Sequence, residues 1–315
     1  MHVERVGREL IVQAPAKLNL FLEVLGRRDD GFHELETLMC PISLYDTLSF
    51  QPSDEADGDA SVAFTCDWQP LERSSQFAVA RDGSAQANPP ERPSSANNLV
   101  VKALDLLQQV AGTRRGARVK LTKRIPMAAG LGGGSSDAAA ALVAGNLGWR
   151  LGLSHEVLHD CAARLGSDVP FFLANGPAIC RGRGERVELV PMNAAGWFVI
   201  VRPSSGLSTA DVFRACRPNQ SPRSAKQLLN ALQATGWERA GRKLFNALEP
   251  AAESLNDDIA KLRLEFDKLD VLGHQMSGSG TSYFAVCRTA RQARQVVARL
   301  RSRRLGYTIA VRGCR

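Results

Sequence analysis

Alternating apolar and polar positions open the chain with strands. NLFLEVLG at residues 19–26 and ISLYDTLSF at residues 42–50 flank a turn-like Arg-Arg-Asp-Asp-Gly. Residues 98–111 then place Leu99, Ala103, Leu106, Leu107 and Val110 on one helical face. ARVKLTKRI at 117–125 reads as a strand, and a helix is predicted from Ser135 to about Asn146. Ser154 should cap the next helix, which runs to about Leu165 and stops near Gly166. The strand-rich reading continues through DVPFFL and PAICRGRGERVELV, and WFVIV at 197–201 is a buried strand bounded by Arg202-Pro203. Helices are predicted around 208–216, 224–235, 241–249 and 254–268. Strand VLGHQMS, a Gly-Ser turn, strand TSYFAVC, an arginine-rich helix and strand YTIAV close the chain. This order is α+β rather than strictly alternating α/β.

Residues 51–96 break the pattern. Gln, Ser, Asp, Ala, Gly and Pro dominate there, and PPERPSSANN closes the stretch. It reads as a low-complexity insertion, a long surface excursion partly ordered at best.

A length of 315 residues allows two domains and a substantial core without disulfides. No stretch approaches the roughly 18 uninterrupted apolar residues of a spanning helix, which argues against a membrane. Glu4 and Glu9 stand where a secretory leader needs an apolar run. The seven cysteines are odd in number, widely spaced and free of any CxxC, a pattern of reduced thiols in the cytoplasm.

The net charge of +8 raises the question of nucleic acid. Nine arginines lie from Cys287 onward with no acid among them, so the rest of the chain is close to neutral. In that tail Ala290, Ala293, Val297 and Leu300 recur at helical spacing, which leaves the arginines on a solvated face. A second acid-free basic stretch holds Arg114, Arg115, Arg118, Lys120, Lys123 and Arg124. It runs directly into a glycine loop.

That loop, PMAAGLGGGSSDAAAALVAG at 126–145, carries the strongest chemical signal. Gly130, Gly132, Gly133 and Gly134 let backbone amides approach an anion closely. Ser135, Ser136 and Asp137 open a helix whose first N–H groups point at the same place. Strand, loop and helix start together form a phosphate cradle. No GK[ST] follows, and Ser135 takes the place of the dinucleotide fingerprint's third glycine. HEVLH at 155–159 satisfies the HExxH zinc pattern, but Ser154 puts it on an exposed first turn with no third ligand at recognisable spacing. No protein metal ligand is assigned. GRGER at 182–186 reads as a tight structural turn.

APAKLNLFLEV, DGFHELETL, PMAAGLGGGSSDAA, LGSDVPFF and SGSGTSYF, in this order, resemble the GHMP kinases, the family of galactose, homoserine, mevalonate and phosphomevalonate kinases. The resemblance runs from about Ala14 to Cys287, apart from residues 51–96. It implies a two-domain α+β fold with the active site in the interdomain cleft. Residues 1–180 would form the ATP-binding domain, with 51–96 inserted, and 181–315 the C-terminal domain. It also implies ATP on Pro126, Met127, Ala128, Ala129, Gly130, Leu131, Gly132, Gly133, Gly134, Ser135 and Ser136, with Mg²⁺ bridging the phosphates beside a loop serine.

APAKLNL together with DGFHELETL narrows the implied substrate to a cytidylated methylerythritol, phosphorylated on its 2-hydroxyl. The resemblance assigns the catalytic pair to Lys17 and Asp168. A carboxylate can take the hydroxyl proton, and a lysine beside it keeps that carboxylate ionised. It places the cytidine diphosphate portion at Asn19, Phe32 and His33, with Thr209 and Phe213 supplying a second aromatic face. Phe32 stands where Tyr is more frequent, Ala128 and Ala129 where glycines are common, and Asp137 where Asn is frequent. SGSGT at 277–281 is read either as an approach to the substrate phosphates or as a plain hairpin turn. A homoserine- or mevalonate-type kinase is the rival within the family, and a basic RNA-binding module the rival outside it. The reading expects a small-molecule substrate, no nucleic acid, and a monomer or homodimer.

Overall fold

Three strands carry the first fifty residues: β1 (His2–Val6), β2 (Glu9–Arg27) and β3 (His33–Pro52). The last two are much longer than their apolar alternation suggested. Residues 14–24 of β2 are buried without a break, and a strand covered on both faces has no alternation to show. The structure, a computed structural model, describes residues 1–53, 61–69, 98–192 and 196–314. Contacts divide the chain into two units that are discontinuous in sequence. Residues 1–14, 45–127 and 133–165 form the first, and 15–44, 128–132 and 166–315 the second.

In the first unit β1 pairs antiparallel with the start of β2, a strand the hydrophobic pattern did not offer. β4 (Val62–Trp68) runs parallel to β5 (Ala117–Lys123) along its whole length, and β5 pairs antiparallel with the end of β3. β4 corrects part of the predicted excursion. VAFTCDW is a half-buried edge strand whose alternation is short enough to be lost among polar neighbours. The remaining excursion, 54–60 and 70–96, lies outside the described residues.

Helices α1 (Leu99–Ala111), α2 (Gly133–Gly148) and α3 (His155–Leu165) complete this unit. Asn98 caps α1 through the Val100 N–H at 2.9 Å, and Gly112 ends it in the left-handed region. Gly145 lets α2 approach Leu104 and Leu107 of α1, and Trp149 packs edge-on against Phe50 at 5.3 Å. Ser154 accepts from the Val157 N–H at 3.4 Å, as its position before α3 predicts, and His155 is exposed on that first turn.

The second unit holds α4 (Val169–Leu173), β6 (Ala178–Gly182), β7 (Arg186–Leu189), β8 (Trp197–Arg202) and α5 (Thr209–Ala215). It continues with α6 (Ala225–Thr235), α7 (Trp237–Ala240), β9 (Phe245–Asn246), α8 (Glu249–Leu255) and α9 (Asp257–Asp267). β10 (Gly273–Met276), β11 (Tyr283–Cys287), α10 (Ala290–Ser302) and β12 (Tyr307–Arg312) close it. β6 pairs with β3 and β7, and β9 pairs with β2 in parallel. A separate antiparallel sheet takes the order β10-β11-β8-β12. Ile259, Leu262 and Phe266 of α9 and Val296, Val297 and Leu300 of α10 share one core with Val199, Val201 and Ala285 of that sheet.

Two predicted elements change type here. DVPFFL is not strand but the short helix α4. Pro170 is set for a first helical turn, and Phe171 and Phe172 are both buried, which from sequence alone reads equally as strand. The helix expected at 241–249 is a 3₁₀ turn at Gly241–Lys243, strand β9 and the first residue of α8. Pairing of Phe245 with Phe21 holds that segment extended.

Candidate active site

Lys17 sits within the doubly covered part of β2, where a charged side chain needs a reason to be buried. Its backbone N–H donates to the Leu131 carbonyl at 2.9 Å, tying the strand to the glycine loop. Its stem passes against Gly132: a Cβ there would lie 3.0 Å from Lys17 Cγ and 2.8 Å from the Phe172 ring, on a backbone with φ +70°. Only glycine satisfies both demands. The ammonium then reaches Asp168, with Nζ 3.5 Å from Oδ2. The lysine side chain is 4% exposed and the aspartate 35%, so the pair has one buried and one open member. Asp168 precedes α4 at its N-cap position, yet its side chain makes no capping bond, which leaves the carboxylate available.

Lys17 Nζ also donates to Asn19 Oδ1. Asn19 Nδ2 donates to Thr37 Oγ1 at 2.9 Å, and the Asn19 N–H to Ser277 Oγ at 3.3 Å. Asn19 was expected to face the substrate; its side chain is 2% exposed and both ends of its amide face other side chains.

The loop residues Ala128, Ala129, Gly130, Leu131 and Gly132 belong to the second unit, and SGSGT locks onto them. Ser277 Oγ donates to the Gly130 carbonyl at 3.0 Å, and the Ser282 N–H to the Ala129 carbonyl at 3.2 Å. A Cβ on Gly130 would lie 2.1 Å from the Ser277 carbonyl oxygen. SGSGT is thus the turn between β10 and β11, and it also shapes the glycine loop. Ala129 and Leu131 are buried, whereas Ala128 is exposed with φ 48°.

Pro126, Met127 and the residues from Gly133 on belong to the first unit. α2 begins at Gly133, two residues before the predicted start, so Gly133, Gly134, Ser135 and Ser136 form its first turn with unsatisfied N–H groups. Ser136 Oγ is buried and has no hydrogen-bond partner. That orphaned hydroxyl and the open helix end fit a bound triphosphate with its metal ion.

One cation of the basic stretch before the loop, Lys123, is paired within the protein. Lys123 is buried and donates to Asp137 at 2.6 Å and to Asp46. Burial pulls the Lys123 ammonium down, but Asp137 and Asp46 outweigh it and hold the group above its ordinary value. Burial pushes the Asp137 carboxyl up to about 8; Lys123 opposes this and Asp46 adds to it. Asp46 also accepts from the backbone of Arg124 and Ile125. Sequence reasoning missed this cluster. Its trace was an aspartate inside the apolar run ISLYDTLSF.

The predicted substrate residues gather in the second unit. His33 is stacked on Phe213, with ring centroids 5.2 Å apart. The guanidinium of Arg183, from the GRGER turn, lies 5.1 Å over the Phe32 ring, which is 47% exposed. Phe213 therefore faces His33 rather than Phe32. Thr209 Oγ1 and Ser279 Oγ are 2.8 Å apart. Burial, and then the charge of Arg27, lowers the His33 pKa from its ordinary value, favouring the neutral ring. Among the described residues no three side chains are grouped to hold a metal ion, and no helix is long and apolar enough to cross a membrane.

Residues 98–176 match the GHMP kinases N terminal domain, and 223–304 match GHMP kinases C terminal. A 4-diphosphocytidyl-2-C-methyl-D-erythritol kinase from Pelotomaculum thermopropionicum is 41% identical over 291 residues, covering 91% of this chain and 92% of the relative. The crystal structure of a 4-(cytidine 5'-diphospho)-2C-methyl-D-erythritol kinase superposes with a TM-score of 0.74 at 32% identity, over 97% of this chain and 99% of that one. A homoserine kinase from Cytophaga hutchinsonii shares the fold, with a TM-score of 0.70 at 18% identity over 99% and 96% of the two chains. The chain belongs to the GHMP kinases, a family of ATP-dependent kinases with N- and C-terminal domains of mixed helix and sheet.

Proposed function

We infer that this kinase phosphorylates the 2-hydroxyl of 4-diphosphocytidyl-2-C-methyl-D-erythritol, using ATP, in isoprenoid precursor synthesis. The observation that carries the chemistry is the approach of Lys17 Nζ to Asp168 Oδ2 at 3.5 Å. In this reading Asp168 accepts the hydroxyl proton as the alcohol oxygen bonds to the γ-phosphorus. The bond from that phosphorus to the β–γ bridging oxygen breaks, and ADP leaves. Lys17 holds Asp168 in place through their ion pair and offers positive charge to the reacting oxygens. The backbone of 126–136 and the first turn of α2 would hold the ATP phosphates, with Ser136 Oγ nearest to a role at Mg²⁺. Mg²⁺ would supply charge neutralisation along the phosphates.

The cytidine diphosphate portion is assigned to Phe32, His33, Thr209 and Phe213, with Asn19 acting through Lys17. A neutral His33 can donate from one ring nitrogen and accept at the other, which suits a pyrimidine edge. A domain boundary near residue 180 is supported by the ends of the two family matches, at 176 and 223. Seven widely spaced cysteines without a CxxC favour the cytoplasm. We assign a monomer or homodimer and no nucleic-acid partner. A coupled ADP-release assay across the cytidylated alcohol, methylerythritol phosphate, homoserine and mevalonate tests the reading. Turnover confined to the first supports it, and equal efficiency on methylerythritol phosphate refutes the cytidine assignment.

A further inference from the structure

We propose that Thr37 is a positioning residue: it fixes which end of the Asn19 amide faces Lys17, and thereby where the Lys17 ammonium points. The proposal rests on the reading of Lys17 as a working group of the kinase.

Thr37 lies on β3, 2% exposed, and its hydroxyl has two partners. It donates to the Phe21 carbonyl at 2.6 Å and accepts from Asn19 Nδ2 at 2.9 Å. A backbone carbonyl can only accept, so the single hydroxyl proton is committed to Phe21. Toward Asn19 the oxygen therefore presents lone pairs alone. The Asn19 amide must turn its NH₂ to Thr37 and its Oδ1 the other way, where Lys17 Nζ donates to it. A flipped amide would set two acceptors against each other and its NH₂ against an ammonium. Both clashes would fall in a region where Lys17, Asn19 and Thr37 are all shut off from water.

The rest of Asn19 is already fixed. Its N–H donates to Ser277 Oγ, and its carbonyl accepts from Gln275 Nε2 at 2.7 Å. The direction of the side-chain amide is what remains to be set, and Thr37 sets it. Of the three Lys17 donors, one is spent on Asn19 Oδ1 and one faces Asp168, which aims the third. Losing Thr37 would release this aim without removing any group that touches substrate.

Thr37→Val removes the hydroxyl at nearly constant shape, and Thr37→Ser keeps it. Lys17→Met runs beside them. In steady-state kinetics Thr37→Val should lower kcat by about 10- to 100-fold, as a small misplacement of a reacting group does, with the KM for ATP little changed. Thr37→Ser should restore most of kcat. In an Asn19→Ala background, adding Thr37→Val should cost nothing further, because Thr37 acts only through that amide. An inactive Lys17→Met with a fully active Thr37→Val overturns the role of Thr37. So does a Thr37→Ser variant as impaired as Thr37→Val, or an additive loss with Asn19→Ala. If Thr37→Val does not fold, Thr37→Ala, which also lacks the hydroxyl, takes its place in each comparison. An active Lys17→Met overturns the underlying reading of Lys17 instead.

Discussion

The imidazole of His33 lies on the ring of Phe213, with the two planes 29° apart. A stacked pair at this spacing leaves no room for a base between the two rings. A pyrimidine must therefore either displace one of them or stack on an outer face of the pair. Phe213→Ala should weaken the cytidylated substrate by about 1–3 kcal/mol, in the range of base–aromatic stacking. His33→Ala should cost roughly 0.5–1.5 kcal/mol, the worth of one hydrogen bond. ATP affinity should stay unchanged in both, and calorimetric titration of each ligand separately checks this. Because burial lowers the His33 pKa, substrate binding should weaken only as pH falls below the ordinary histidine range. Parallel loss of ATP affinity would count against the assignment.

Asp168 is the open member of its pair with Lys17, and its carboxylate caps nothing. Asp168→Asn should fold and bind ATP as the parent does, yet lose about 10²–10⁴-fold in kcat, the usual span for a lost general base. Near-parental kcat would remove Asp168 from proton transfer.

Asp137 carries the clearest dependence of stability on pH. Asp46 from β3, Lys123 from β5 and Cys66 from β4 interact with it or with one another, and the Asp137 Oδ1 atom has no hydrogen-bond partner. Burial raises the folded pKa to about 8 from its ordinary 3.8, so the folded state holds a proton that the unfolded chain has released. The stabilisation is complete below the unfolded pKa and is lost as pH rises toward the folded one. Thermal unfolding between pH 5 and pH 8.5 should show the parent melting progressively lower. Asp137→Asn, which keeps an acceptor for Lys123 and carries no titratable proton, should flatten that slope and melt higher at the alkaline end. Each kcal/mol gained there corresponds to about 2–4 °C. Equal slopes in both proteins would show that Asp137 does not titrate in this range.

β4 makes the insertion only partly dispensable. Val62–Trp68 pairs with all of β5, and Asp67 meets Lys120 at 3.3 Å. Removing residues 55–95 takes this strand away and bares the edge of β5, so that variant should melt lower than one in which 61–69 is kept. Equal melting temperatures for the two deletions would make β4 irrelevant to stability.

Local pattern fixed much of this protein before any contact was known. The glycine spacing, the Ser154 cap and the one-sided α10 are properties of neighbouring residues. Capping chemistry and helical periodicity need nothing farther than one turn away, so they are legible in the chain. Lys17 and Asp168 were legible only through the resemblance of APAKLNL and LGSDVP to the family's motifs, since neither residue stands out by local pattern. Packing decided the rest. DVPFFL became helix rather than strand, although burial of Phe171 and Phe172 suits either, because tertiary neighbours choose between them. The charge of Lys123 went to Asp46 and Asp137 rather than to a ligand, and the Asn19 amide turned toward Lys17 and Thr37. Each of these depends on which group from a distant part of the chain arrives within hydrogen-bond reach. A sequence states what a side chain can donate or accept; only the folded chain supplies the partner.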